Sequence, residues 1–238
     1  MSKKVNSATA KTSSSSSSKS GVFSSFASRF SFSSLQSFDE VKSKELWEAA
    51  HQNQLEKLKS LLATCGPRLN VNWQDPEHER SPFLRACYFG HLDIVRELAK
   101  DPRTNVNLVQ GQGATPFYLA CQEGNLHIVR ELLKDPRVDT LKPAEDSMTP
   151  FFAATLGGHS HVVEYILAAC PVVDTLSKPV GAYSEVRDKT PEAIALMTGL
   201  QPLAALIRSY NENPAVVRSQ LQRKFGLQGM TLNCKLQP

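Results

Sequence analysis

The stretch that decides the fold is residues 81–103, S-P-F-L-R-A-C-Y-F-G-H-L-D-I-V-R-E-L-A-K-D-P-R, because the chain then repeats it. Thirty-four residues later, residues 115–137 read T-P-F-Y-L-A-C-Q-E-G-N-L-H-I-V-R-E-L-L-K-D-P-R, and a third copy opens with T-P-F-F-A-A at Thr149. A fixed period of about 20 to 50 residues indicates units that stack side by side and bury their apolar faces against their neighbours. The repeat therefore predicts an array rather than a domain with one central core.

Each unit carries its own start and stop signals. Ser or Thr before Pro can cap a helix, and Pro in the first helical position loses no hydrogen bond there. Gly90, Gly124 and Gly158 stand where the first helix must reverse, a left-handed position that glycine adopts at little cost. Apolar residues then recur every three or four positions, until Asp101-Pro102 stops the second helix. The pattern predicts an inner helix that begins at Pro and an outer helix that follows the glycine.

The unit T-P-F-x-x-A-C-x-x-G-x-L-x-I-V-x-E-L-L-K resembles the ankyrin repeat. The resemblance covers about residues 44–210, with three clear units and a degenerate unit at each end, where an array must present a polar outer face. It implies an all-α solenoid of stacked helix-turn-helix units with short β-turn fingers. The units run over residues 46–80, 81–114, 115–148, 149–189 and 190–210, and seven residues are inserted in the fourth. Residues 211–238 are predicted to form a C-terminal capping helix, which closes the last repeat, and a tail.

One departure from the family concerns the start of the inner helix. Ankyrin repeats usually open with Thr-Pro-Leu-His, and the His ties adjacent turns by hydrogen bonds. Here the matching positions carry Leu84, Tyr118 and Phe152. We therefore expect a weaker hydrogen-bonded network at the turns, with apolar stacking in its place.

The first 43 residues are predicted to be a disordered tail, because a serine-rich chain buries too little surface to offset its ordering entropy. They carry a net charge of +4 and no acidic residue before Asp39. Three interpretations of this basic, Ser- and Phe-rich arm remain open: a phosphorylatable tail, an organelle transit peptide, or a segment that touches a membrane. Under the last two, the arm would determine where the protein resides.

Charge and composition narrow the class of protein. The last 28 residues carry +3, so the array itself carries −3, whereas a nucleic-acid surface normally shows a basic stripe. No apolar run approaches the roughly 18 residues that span a bilayer. The five cysteines form no C-x-x-C pair, which favours free thiols in a reducing compartment. We expect a monomer in the cytoplasm or the nucleus that binds neither nucleic acid nor cofactor and does not span a membrane.

Catalytic motifs do not emerge from the sequence. It contains neither a glycine-rich phosphate loop nor a G-x-S-x-G nucleophile turn. His91 and His159 follow the repeat glycine, where the family favours His as a local hydrogen-bonding residue. His159 and His161 stand two residues apart and would face different sides of a helix, which is poor spacing for a metal site. We predict no catalytic residues, no metal ligands and no enzymatic activity.

The candidate binding surface is implied by the resemblance. In ankyrin repeats, the residues just before Thr-Pro and the two just before Gly-His face a shared concave groove. Tyr183, in the inserted loop, is a secondary candidate because long loops often carry function. The groove positions are Glu77, His78, Arg80, Tyr88, Phe89, Gln112, Ala114, Gln122, Glu123, Glu145, Asp146, Met148, Leu156, Arg187, Lys189, Met197 and Thr198.

Large apolar side chains are unexpected in a solvent-facing groove unless they meet a partner. Tyr88, Phe89, Met148 and Leu156 are such side chains, and aromatic residues dominate binding hot spots. The alternative is that Tyr88 or Phe89 turns inward to pack. We expect a non-catalytic module that binds a protein partner, with a hot spot at Tyr88, Phe89 and Leu156. It could act as an adaptor, or as an inhibitor or scaffold that masks its target.

Overall fold

The computed structural model describes residues 32–180 and 185–228, and of residues 32–37 the backbone alone. The chain divides into two units, residues 1–37 and 38–238, and the array lies in the second. The predicted disorder over residues 1–31, the candidate contact Tyr183 and the tail beyond residue 228 lie outside the described residues. The described part contains no strand and has eleven α-helices: α1 Phe32–His51, α2 Leu55–Cys65, α3 Pro82–Phe89, α4 Leu92–Lys100, α5 Pro116–Gln122, α6 Leu126–Leu132, α7 Pro150–Leu156, α8 Ser160–Ala169, α9 Pro191–Met197, α10 Gln201–Glu212 and α11 Pro214–Phe225.

The first ten helices form five successive pairs, each with an inner and an outer helix. The inner helices α3, α5, α7 and α9 contact one another in that order, and so do the outer helices α2, α4, α6 and α8. This arrangement confirms the predicted all-α array of helix-turn-helix units.

The local start and stop signals act as predicted. In the last four units the Ser or Thr before Pro accepts a hydrogen bond from the backbone N–H three residues later, at 3.1–3.3 Å. The glycine that ends each of these inner helices has a φ between +70° and +76°. In the first unit, which lacks both signals, Asn53 takes the left-handed position with a φ of +57°. The capped residues are Ser81, Thr115, Thr149 and Thr190.

The apolar interior has two parts. A continuous ribbon runs between the inner and outer helices from Leu46 to Leu227. A second cluster, which we call the finger core, lies between the inner helices and the bases of the fingers. It includes Leu84, Tyr118 and Phe152, so apolar stacking does replace the hydrogen-bonded His of the family. Its members are Leu84, Ala114, Tyr118, Leu119, Met148, Phe152, Ala153 and Ile194.

The boundary of the predicted tail was wrong. Helix α1 begins at Phe32, well before residue 44. Ser43 is buried, where its hydroxyl donates to the Asp39 carbonyl at 2.7 Å and accepts from the Asn70 N–H at 3.1 Å. Serine composition suggested disorder, but a serine hydroxyl that bonds the carbonyl four residues back fits within a helix.

The C-terminal helix does more than close the last repeat. Helix α11 packs against α10 and also against α8, the outer helix of the fourth unit. The Phe225 ring meets the Tyr165 ring edge-on at 5.2 Å, and the Lys224 Nζ lies 2.6 Å from a Glu164 carboxylate oxygen. The prediction of a helix that shields only the fifth unit was therefore incomplete.

Candidate functional site: fingers and inner-helix ends

The fingers are turns that hydrogen bonds close and connect. The Asp75 carboxylate accepts from the backbone N–H groups of His78 at 2.9 Å and Arg80 at 3.0 Å, and so fixes the first finger. The Glu145 N–H donates to the Gln112 carbonyl at 3.2 Å, which joins the fingers of two successive units. Hydrogen bonds thus hold the first finger in shape and join neighbouring fingers into a row.

A cleft opens between the first two fingers, and we call it the finger cleft. Four predicted site residues line it, namely Glu77, His78, Arg80 and Gln112. Across its base the Arg80 Nε donates to the Gln110 Oε1 at 2.8 Å. The structure therefore brings these four predicted positions together. The complete lining is Pro76, Glu77, His78, Glu79, Arg80, Gln110, Gly111 and Gln112.

Beside the cleft lies a group of aromatic rings, which we call the aromatic cluster: Trp47, His51, Trp73, Tyr88 and Phe89. The Tyr88 and Phe89 rings meet edge-on at 5.0 Å, and the His51 ring lies 5.1 Å from Phe89. Trp47 lies 5.4 Å from His51 and 6.2 Å from Trp73. Such offset and edge-on arrangements are the favoured geometry of aromatic pairs.

Tyr88 and Phe89 differ in exposure. Tyr88 is partly buried against the finger core, with the Arg80 guanidinium 5.3 Å from its ring centroid. Phe89 is 42% exposed, which is high for a large apolar side chain that has so many neighbours. Tyr88 therefore packs partly inward, as one interpretation of the sequence allowed. Phe89 is exposed to solvent, as the other interpretation expected.

Two further groups in the aromatic cluster are charged or titratable. The Arg85 guanidinium lies 4.9 Å from the Trp47 ring and 5.5 Å from the Phe89 ring, so it is held between them. Burial and the Arg80 charge lower the pKa of Arg85, yet an arginine remains a cation at any physiological pH. Burial, Arg85 and His91 likewise lower the pKa of His51, which favours the neutral form of that imidazole.

The other predicted site residues are spread along the array. Gln122 and Glu123 are exposed at the end of α5, and Arg187 is exposed in the last finger. Leu156 at the end of α7 is 37% exposed, and Met197 at the end of α9 is 58% exposed. Asp146 accepts from the Met148 N–H at 3.0 Å, so its carboxylate helps to close a finger.

For Met148, the expectation of a groove-facing side chain was wrong. It is buried in the finger core beside Tyr118 and Phe152. Because large apolar residues occupy the place of the usual His, the space beneath the finger is apolar and draws the thioether in. The same finger core explains why Ala114 is buried.

Three residues of the site were missed by the sequence analysis. Trp47 is one of them, and its Nε1 donates to the Arg80 carbonyl at 2.7 Å. His51 has the register of Tyr88 in the degenerate first unit, so the rule used for the clear units would have found it. Arg85 could have been found by comparing the units, because the same position carries Leu119 and Ala153 in the next two.

The repeat histidines join the units. The His159 Nε2 lies 2.8 Å from the Gln122 carbonyl, and the His91 Nε2 lies 3.2 Å from the His51 carbonyl. Within the described ranges, no three His, Cys, Asp or Glu side chains group as metal ligands would. None of the described helices is both long and apolar enough to cross a bilayer.

The stacked pairs, the capped inner helices and the row of fingers define a helical repeat protein that presents its fingers and inner-helix ends to solvent. A family model described as ankyrin repeats matches the chain in three copies, over residues 46–142 and 83–176. The matched segments together cover more than half of the chain, and the protein therefore belongs to the ankyrin repeat family. The comparison with curated proteins gave no significant match.

Proposed function

We propose that the protein is a non-catalytic interaction module that binds a protein partner through its concave finger and inner-helix surface. Ankyrin repeats generally mediate protein–protein interaction, and they typically do so without catalysis. The observation that carries the proposal is the aromatic cluster beside the finger cleft, where an exposed Phe89 meets a partly buried Tyr88 and lies against the Arg85 guanidinium.

The composition of this cluster is that of a binding hot spot. Trp, Tyr and Arg are the residues whose truncation most often costs binding energy, and hot spots lie in packed pockets from which the partner excludes water. The fold itself does not require Phe89, because the matching positions in the next two units carry Glu123 and Gly157. An exposed aromatic ring at a position that the fold leaves free supports a role in contact.

The proposal also covers the oligomeric state, the cellular compartment and nucleic-acid binding. We propose that the protein acts as a monomer in a reducing compartment, the cytoplasm or the nucleus, without binding nucleic acid. Burial raises the pKa of the Cys87 and Cys121 thiols, so these cysteines behave as unreactive apolar side chains of the core. Whether the module recruits its partner to another machine or masks it depends on the partner.

The test is affinity capture from a lysate of the source cell, with the full chain compared with a Tyr88→Glu, Phe89→Glu double variant. Two buried or half-buried carboxylates at a hot spot should weaken binding about tenfold or more. We expect a partner that the parent captures and the variant loses. Circular dichroism must first show that the variant stays folded.

The matched control is Val172→Glu, Val216→Glu, which adds the same charge at two exposed apolar side chains outside the finger and inner-helix surface. This control should capture as the parent does. Equal capture by the parent and the Tyr88→Glu, Phe89→Glu variant would show that partners bind elsewhere.

The alternative function is a protein whose N-terminal arm determines its location in an organelle or at a membrane. A tagged chain that lacks residues 1–31 would leave helix α1 intact and remove most of the basic, serine-rich arm. Relocation of the shortened chain would support the alternative, and unchanged location would leave the interaction module as the better account.

A further inference from the structure

Arg85 occupies an unusual place in the repeat. Its position on the inner helix carries Leu119, Ala153 and Ile194 in the three later units. Leu119 and Ala153 are buried there, in the finger core. The other units thus carry small or apolar side chains at this position. The fold therefore does not require the positive charge of Arg85.

The guanidinium of Arg85 lies against aromatic rings and has no polar partner in the described part of the chain. The Trp47 and Phe89 rings hold it at 4.9 and 5.5 Å, and the buried Nε atom has no hydrogen-bond acceptor. No carboxylate among the described residues comes within 4.0 Å of it, the distance that defines an ion pair. A buried donor without an acceptor is costly, so few are found in native proteins.

The nearest charges do not neutralise it. Arg80 is a second cation, already bonded to Gln110, and it acts on Arg85 by repulsion. The Asp75 carboxylate is used by two backbone N–H groups of its own finger. The Glu77 side chain is 83% exposed and lies nearest to His78. Burial and Arg80 lower the pKa of Arg85 more than Asp75 and Glu77 raise it, and neither carboxylate forms an ion pair with the guanidinium among the described residues.

We infer that Arg85 is the carboxylate-binding residue of the surface, and that the partner presents an Asp or Glu side chain beside an apolar one. The planar guanidinium offers paired N–H donors that fit a carboxylate, and rings that exclude water strengthen such a bond. Arg80 adds a second positive charge, while Phe89 supplies the apolar contact. This inference rests on the proposed function, and it specifies the class of partner: an acidic peptide segment with a hydrophobic neighbour.

The test is selection from a library of random twelve-residue peptides on the immobilised full chain. Peptides that bind the parent and not the Tyr88→Glu, Phe89→Glu variant are the ones that use the surface. We expect these peptides to be enriched in Asp and Glu. For one synthetic peptide, Arg85→Gln should weaken binding about 10- to 100-fold, the value of a hydrogen-bonded charge pair. Arg96→Gln, which removes an equal charge from the outer helix α4, should change it less than about twofold.

A double-mutant cycle tests whether the loss of affinity comes from one bond, between Arg85 and the carboxylate of the peptide. Changing the peptide's acid to its amide should cost as much as Arg85→Gln in the parent, and little further once Arg85 is absent. Arg85→Lys keeps the positive charge but lacks the paired N–H donors of the guanidinium. Its affinity for the peptide should therefore lie between those of Arg85→Gln and the parent.

The outcomes separate the two proposals. Surface-dependent peptides without acidic enrichment, or equal binding by Arg85→Gln and Arg96→Gln, overturn the carboxylate site and leave the interaction module standing. If no selected peptide depends on Tyr88 and Phe89, both proposals fail. Arg85-dependent binding of a labelled oligonucleotide, without acidic peptides, would assign the guanidinium to phosphate and overturn the inference.

Discussion

The residue after Gly90, Gly124 and Gly158 ties one unit to the unit before it. His91 bonds the His51 carbonyl, the Asn125 Nδ2 donates to the Tyr88 carbonyl at 2.8 Å, and His159 bonds the Gln122 carbonyl. These bonds satisfy carbonyls at the C-terminal ends of inner helices, which have no partner within the helix. Single side chains at this repeated position therefore contribute to the stability between units, in addition to apolar packing.

Gly124→Ala should destabilise the array more than the matched change Gly158→Ala. Both glycines are left-handed, at φ of +70° and +73°, so each alanine adds strain of about 1 kcal/mol. At Gly124 the new methyl group would also lie 2.7 Å from the Cε1 of His159, whereas at Gly158 its nearest contact is 3.4 Å away. Displacing His159 should cost about 1–3 kcal/mol more, through the lost bond to Gln122. Urea denaturation measures both, and equal losses would contradict this account.

Residue-scale features could be predicted where they depend on near neighbours in sequence. The caps at Ser81 and Thr115 and the left-handed glycines follow from local backbone chemistry, so the sequence sufficed. The burial of Met148 depends on Tyr118 and Phe152, which belong to inner helices of two units. That three-dimensional context could not be seen from the chain alone.

At the scale of elements, the Asp-Pro-Arg loops connect successive outer helices. The Arg103 guanidinium bonds the Asp101 carboxylate at 2.6 Å and donates to the Gly66 carbonyl of the unit before at 2.6 Å. Arg137 repeats this with Asp135, and reaches the Ala99 carbonyl at 2.7 Å. In each loop the Asp holds the Arg in the orientation that reaches the previous unit.

Asp101→Asn should lower stability at neutral pH by about 1–3 kcal/mol, because the amide cannot orient the guanidinium as the carboxylate does. The hydrogen bond from Arg103 lowers the pKa of Asp101 below its usual value near ~3.9. A lowered folded pKa stabilises the fold above the unfolded pKa, and this contribution is lost as pH falls through the folded pKa. The difference between parent and variant should therefore be full at pH 7 and should shrink below about pH 4.

Urea denaturation of both proteins at several pH values checks this prediction. Asp93→Asn is the matched control, because that carboxylate is 70% exposed and lies 3.7 Å from Arg96 in a surface pair. Such pairs contribute between about 0 and 1 kcal/mol. A difference for Asp101→Asn that stays constant with pH would show that the carboxylate charge plays no part.

Most elements could be predicted from the repeat, and the exceptions have a common cause. The inner and outer helices of the clear units begin and end near the predicted residues because each carries its own signals. Helix α1 starts at Phe32 without such signals, in a serine-rich stretch. Its stability comes from contacts such as that of Ser43 with Asn70, which composition does not encode.

At the scale of the whole molecule, the last helix connects units that are not adjacent to it in sequence. The Arg218 Nη2 donates to the Pro171 carbonyl at 2.9 Å, and the Gln222 Nε2 donates to the Ala168 carbonyl at 3.2 Å. The Arg130 guanidinium, on α6, lies 4.9 Å from the Tyr165 ring and 5.6 Å from the Phe225 ring. Helix α11 thus anchors the fourth unit as well as the fifth.

Removal of residues 214–238 should therefore loosen two units rather than one. In a stacked array stability is close to a sum of units and their interfaces, so the loss should stay near the cut. We expect faster amide hydrogen exchange in α8 and α10, and unchanged exchange in α3. Mass spectrometry of the exchanged chain measures all three helices.

Lys224→Gln serves as the mild control, because it removes the pair with Glu164 and the cation contact with the Phe225 ring but keeps the rest of α11. It should leave exchange in α8 close to that of the parent. Unchanged protection of α8 in the truncated chain would show that α11 contributes nothing to the fourth unit.

The candidate surface could be predicted only in outline. The resemblance placed Glu77, His78, Arg80 and Gln112 near one another, and the finger cleft joins them. The aromatic cluster combines side chains from α1, α3 and the link between the first two units. No local sequence pattern predicts that these side chains come into contact. Its central cation, Arg85, emerges only when the structure shows what surrounds it.

The finger core has a thermal consequence. Where other ankyrin repeats use a polar histidine, this array holds its fingers by burying Leu84, Tyr118, Met148 and Phe152. Apolar burial is the main source of the heat capacity of unfolding, and its stabilising effect weakens on cooling. Apolar burial should therefore stabilise the fingers most at intermediate temperature. The residues that line the binding surface should become less firmly held on cooling as well as on heating.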